Sequence, residues 1–140
     1  MKIVFDLQSL QGNNRNRGIG RYSLALTQAI LRQAHHHEIY LCLNSNSIET
    51  IENIRLSFKT LISENNIKIF DIPKIYKNTC QSRISEIIRE SFIANLNPDL
   101  IYISSIFEGN KFDTPISIGE FNNSTLNAVT LYDLIPYIYS

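Results

Sequence analysis

A chain of 140 residues with 13 basic and 13 acidic side chains, 44% hydrophobic and 19% charged, has the size of one domain and enough apolar material for a core. Zero formal net charge argues against a dedicated nucleic-acid binder, which carries a basic excess. The mixed composition argues against disorder, and the lack of a run of about 18 apolar residues argues against a transmembrane segment. The charge is unevenly placed. Residues 1–34 hold Lys2, Arg15, Arg17, Arg21 and Arg32 against Asp6 alone, whereas residues 99–140 hold Lys111 against Asp99, Glu108, Asp113, Glu120 and Asp133. Cys42 and Cys80 lack C-x-x-C spacing and read as buried or incidental thiols of a reducing compartment. Asp6 follows too few apolar residues for a signal-peptide core, so a cytoplasmic location is expected.

The first predicted element is a strand. Ile3, Val4, Phe5 and Leu7 form a near-continuous apolar run, the pattern of a strand buried on both faces of a parallel sheet. Ile19, Tyr22, Leu24, Leu26, Ile30 and Leu31 then recur at roughly helical spacing to about residue 34. Residues 38–43 read as a second strand, and Asn44-Ser-Asn-Ser47 offers N-caps to a helix over about 48–61. A short third strand at 66–71 stops at Pro73. Residues 82–95 read as a helix with Ile84, Ile87, Ile88 and Phe92 on its apolar face, ended by Asn97-Pro98-Asp99. Strands at 100–103 and 128–132 complete the series, with a long connection over 104–126 between them. Strands alternating with helices are the signature of βαβ units, so one doubly wound α/β domain over residues 1–140 is expected. The long connection, at the carboxyl edge of such a sheet, is where a ligand is expected.

Gly18-Ile-Gly20-Arg-Tyr-Ser23 fits G-x-G-x-x-small. A dinucleotide fingerprint, however, turns tightly off the first strand and has an acid at the end of the second. Here about ten residues separate Leu7 from Gly18, and Asn44 stands in place of the acid. The P-loop lysine is missing too. Two readings stay open for the loop. Backbone N–H groups from Gly18 to Arg21, helped by Arg15, Arg17 or Arg21, face an anion such as a diphosphate; or the glycines merely allow loop and sheet to pack closely. Consecutive histidines do not share a helix face, so His35-His36-His37 reads as a polar turn and no metal site is expected. Asp133 follows the last strand, where a carboxylate either meets a ligand hydroxyl or stabilises a turn. Ser105 and Glu108 lie at the matching end of the fourth strand.

Four stretches together resemble a known family. They are Lys2–Gln8, Arg17-Gly-Ile-Gly-Arg-Tyr-Ser-Leu-Ala25, Asn97–Gly109, and Ala128-Val-Thr-Leu-Tyr-Asp-Leu-Ile-Pro136. In this order and separation they resemble the N-terminal domain of group 1 (family 4) glycosyltransferases, mannosyltransferase-like enzymes of bacterial surface-polysaccharide synthesis. The resemblance implies a Rossmann-like, doubly wound, mainly parallel sheet with helices on both faces, one half of a GT-B fold. It implies transfer of a hexose, with mannose as the candidate, from GDP-mannose or a UDP-sugar to a surface-polysaccharide or lipid-linked glycan, with retention of configuration and neither metal nor other cofactor. Gly18, Gly20 and Arg21 would face the donor phosphates, and Ser105, Glu108 and Asp133, the last as the candidate catalytic residue, would lie near the acceptor or transferred sugar. Tyr132 and the Ser104-Ser105 pair stand where relatives carry histidines, so no role depending on imidazole is implied. The donor-binding domain with its E-x7-E motif is not among these residues. The partner expected is therefore that C-terminal domain, absent or on a separate chain, and little transfer is expected from the 140 residues alone. Action at the inner face of the membrane, as a peripheral protein, follows from such acceptors. The alternative is a non-catalytic Rossmann-like module that binds an anion or a protein.

Overall fold

The computed structural model describes residues 1–73, 79–106, 114–115, 117–122, 124–132 and 138, with the side chains of 79–82 outside that set. Its five strands are β1 (Lys2–Asp6), β2 (Glu38–Asn44), β3 (Ile67–Phe70), β4 (Leu100–Ile103) and β5 (Leu126–Val129). Between them run α1 (Gly18–Gln33), α2 (Ile48–Phe58) and α3 (Thr79–Ala94). The sheet has the order β3-β2-β1-β4-β5, and every pairing is parallel.

β1 lies at the centre, which is why its apolar run is unbroken. Ile3 and Phe5 face one side, in register with Ile39 and Leu41 of β2. They join Leu31 of α1 and Ile51, Ile54 and Phe58 of α2 in one apolar cluster. Val4 faces the other side with Cys42, Ile101, Ile103 and Ile93 of α3. Helices thus cover both faces. Chain order runs from β1 outward to β3, then crosses back to β4, so it reverses between β1 and β4. A reversal of this kind splays the two following loops apart and opens a crevice at the carboxyl ends of the strands.

Burial pushes the Cys42 thiol pKa upward, with the Asp6 carboxylate adding to the rise. The thiol is an inert core group, as its sequence context suggests. Among the described residues no helix is long and apolar enough to cross a membrane.

Three expectations need correction. The last strand occupies 126–129 rather than 128–132, because β4 has only four residues to pair with: Leu100 meets Leu126, and Ile103 meets Val129. The Thr130 amide continues the ladder by one bond, donating to the Ile103 carbonyl at 3.0 Å. Helix α2 ends at Phe58 rather than near 61, where the chain turns back and the amides of Leu61 and Ile62 bond to the Phe58 carbonyl. The largest difference is in α3. Ile84 and Ile87 are 44% and 41% exposed, while Ser85, Arg89 and Ile93 point inward. These three share one i, i+4, i+8 row. Rotating the helix this way delivers the Arg89 guanidinium to Asp6, whose carboxylate ends a strand buried on both faces. An unpaired charge there is costly enough to outweigh exposure of two isoleucines.

Candidate functional site at the carboxyl edge of the sheet

The reversal between β1 and β4 is floored by a polar network. Asp6 and Arg89 are buried, with the Arg89 Nε donating to Asp6 Oδ2 at 2.5 Å. The Gln8 amide donates to Asp6 Oδ1, and Gln8 Nε2 donates to both Asp6 Oδ2 and the Pro115 carbonyl. Arg89 Nη1 donates to the Ser117 carbonyl at 2.9 Å. Asp6 thereby ties the end of β1, helix α3 and the connection before β5 to one point.

The end of β2 is bound just as tightly. Asn44 is 3% exposed; its amide donates to Gln11 Oε1 at 2.7 Å, and Gln11 Nε2 returns a bond to the Asn44 carbonyl. Its side chain donates to Gln8 and accepts from the Asn46 amide. A residue so enclosed cannot hold ribose hydroxyls, which agrees with the sequence argument against a dinucleotide. At the end of β4, the Ser104 hydroxyl donates to the Asp6 carbonyl at 2.7 Å, so the Ser9 hydroxyl, 2.6 Å away, donates to Ser104. Ser105 is 6% exposed.

Above this floor lies the first turn of α1. A single turn of 3-10 helix at Gln8–Leu10 and a turn-rich loop carry the chain from β1 to the N-cap Arg17, which is extended and provides no side-chain cap. The first helical bond runs from the Arg21 amide to the Arg17 carbonyl at 3.0 Å, so the amides of Gly18, Ile19 and Gly20 have no acceptor within the helix. Arg17 and Arg21 are exposed and, among the described residues, form no ion pair. A helix N-terminus with uncapped amides and adjacent guanidinium groups attracts anions.

Both readings of the glycines find support. A Cβ on Gly20 would stand 2.1 Å from the Arg15 carbonyl oxygen, so this glycine lets the loop lie directly against the helix. A Cβ on Gly18 would first meet the Tyr132 hydroxyl, at 2.6 Å. Tyr132 follows β5 and stacks edge-on against Tyr22 of α1, with ring centroids 6.0 Å apart. The start of α1 and the chain after β5 therefore meet at the crevice. Below them Tyr102 shares a short hydrogen bond with Thr130, and burial raises its pKa, with Tyr22 adding to the rise and the Thr130 bond opposing it.

Of the residues singled out from sequence, Gly18, Gly20 and Arg21 share the first turn of α1, and Ser105 is buried past β4. Glu108 and Asp133 lie outside the described residues. His35, His36 and His37 form an exposed turn after α1. Sequence reasoning missed the Asp6–Arg89 pair and the Tyr22–Tyr132 contact. The signal for the first was an acid at the end of an otherwise apolar strand, which requires a buried partner.

The fold and crevice define a doubly wound α/β domain with an uncapped helix terminus at its reversal point. No family model matches the sequence, and no solved structure matches it. The chain is similar to three proteins of Escherichia coli, each described as serotype-specific mannosyltransferase WbdA. One is 30% identical over 144 aligned residues, covering 99% of this chain and 17% of the relative. The others are 27% and 28% identical over 119 residues, covering 81% of this chain and 15% of each relative. The chain thus spans about one-sixth of the length of the curated relatives it matches.

Proposed function

We propose that this chain is the acceptor-side half of a retaining, GT-B glycosyltransferase that transfers a hexose, mannose first among candidates, from a nucleotide sugar to a surface-polysaccharide or lipid-linked glycan. The observation that carries the reading is similarity to mannosyltransferases along 99% of the chain. The reversal between β1 and β4 supports it, because ligands of open α/β sheets lie at that edge. In this reading the departing diphosphate faces the amides of Gly18 to Gly20 and the Arg21 guanidinium, which stabilise the charge that develops on it. Asp133 and Glu108 act on the acceptor or transferred sugar, at the inner face of the cytoplasmic membrane. Because the matched relatives are about six times longer, the reading assigns the main donor contacts to a second domain, without which this chain does not turn over.

Titration of the 140-residue chain with GDP-mannose and with UDP-sugars, followed by amide NMR, tests the division of labour. The expected result is weak binding whose shifts centre on Gly18, Gly20 and Arg21 and which Arg21→Ala reduces. Tight binding by this chain alone, or shifts that avoid the first turn of α1, would overturn it.

A further inference from the structure

A second recess lies one helix away from the crevice, between the loop that precedes α1, the first half of α1, and α2. It has a volume of about 150 Å³ and is floored by Leu10, Leu24 and Ile54. Arg15, Glu49 and Asn53 stand around it. A space of this size accepts a six-membered ring. Its chemistry differs from that of the crevice floor, where Asn44 bonds to Gln8 and Gln11, and Ser104 bonds to the Asp6 carbonyl. Around the recess, among the described residues, the Arg15 side chain reaches only the Gly12 carbonyl, at 3.4 Å. Among the described residues the side chains of Glu49 and Asn53 have no hydrogen-bond or ion-pair partner.

We infer that this recess is a subsite for a neutral sugar ring of the acceptor glycan, a residue remote from the reacting hydroxyl. One cation and one anion leave the set without net charge, which suits a neutral ligand better than a phosphate. Guanidinium, carboxylate and carboxamide each present two hydrogen-bonding atoms in a plane, matching pairs of neighbouring hydroxyls. The apolar floor receives the C–H face of the ring. Loop residue Arg15 joins the recess to the crevice, since its side chain borders the recess while its carbonyl packs against Gly20 in the first turn of α1. A glycan seated here is held by a part that does not react, and such remote binding energy serves to orient the reacting end.

The inference rests on the transferase reading for its ligand class, and the two fail separately. The test is amide NMR of the 140-residue chain titrated with methyl α-mannoside and with a mannobiose. The expected result is saturable binding with shifts at Arg15, Glu49, Asn53 and Ile54, weakened about tenfold in Glu49→Gln/Asn53→Ala and unchanged in Arg21→Ala. Both replaced side chains are exposed, and unchanged far-UV circular dichroism verifies that the variant is folded. Shifts that spare the recess, or binding that survives the double substitution, would overturn the subsite and leave the transferase reading standing. Sugar binding at the recess with no transfer after the second domain is supplied would leave the subsite standing and remove the transferase.

Discussion

The two faces of the sheet are built on different principles. Under α1 and α2 the core is apolar around Phe5, Leu41, Leu43 and Phe58, all at or near zero exposure, and the polar side chains buried with it, Ser23, Thr27 and Thr50, carry no charge. Under α3 the apolar cluster is smaller among the described residues, and beside it lies a buried ion pair, Asp6 with Arg89. The first face supplies stability by removing hydrocarbon from water. The second supplies position: a buried pair adds little net stability over a hydrophobic replacement, yet through Gln8 and Arg89 it fixes Pro115 and Ser117 relative to the end of β1. The difference teaches that the face carrying fewer apolar contacts is the one that holds the edge of the candidate site in place.

Breaking the pair gives the largest expected effect. Arg89→Ala leaves the Asp6 carboxylate buried and unpaired, and a loss of about 3–5 kcal/mol in urea unfolding is expected. Replacing both members, as Asp6→Leu/Arg89→Met, costs less than the single change, because no charge is stranded. A double variant that loses the sum of two large single effects would contradict the assigned role. On the apolar face, Leu41→Ala has no charge to strand and costs about 3 kcal/mol through transfer and cavity terms alone.

Next in size is the contrast between the glycines. Gly20→Ala puts a methyl group against the Arg15 backbone and is expected to destabilise by about 1–3 kcal/mol. Among the described residues Gly18→Ala first meets the end of the Tyr132 side chain, which moves aside, so a change below about 1 kcal/mol is expected. Equal thermal shifts for the two would show that the loop does not pack as described.

The smallest effect concerns Glu90. Its carboxylate accepts from the amides of Glu120, Phe121 and Asn122. Burial raises its pKa, but Ser117, the Phe121 and Glu120 amides and Arg89 together outweigh that, and the net shift is downward. A lowered carboxyl pKa means that the stabilisation is present above the unfolded value and disappears as pH falls through the folded one. Glu90→Gln is therefore less stable than the parent at neutral pH, and the gap closes on acidification. A gap that is constant across the acid range would rule out the linkage.

The alternating pattern made the architecture legible in the sequence. All five strands fall at or within three residues of where apolar runs and turn residues put them. The sidedness of α3 was not legible, because Ile84, Ile87 and Ile88 outvote one arginine in any count of periodicity. Only the three-dimensional placement of Asp6 explains the helix's rotation. In the first turn of α1, the close approach at Gly20 was legible, because a glycine at a helix start admits a neighbouring backbone. The Tyr22–Tyr132 contact joins residues 110 positions apart and leaves no local pattern. Asn44 was noted as an absence, the acid a dinucleotide needs; its tight bonding to Gln8 and Gln11 appears only once β1 and β2 are paired.

The central claim is that these residues form one half of a sugar-transferring cleft. It is tested most directly by joining the chain to the donor-binding domain of a related mannosyltransferase and measuring label transferred from GDP-mannose to a mannose-containing glycan. Transfer is predicted for the joined protein and not for either half, with Arg21→Ala lowering the rate about tenfold or more. A joined protein that is folded, binds GDP-mannose and still transfers nothing would contradict the claim.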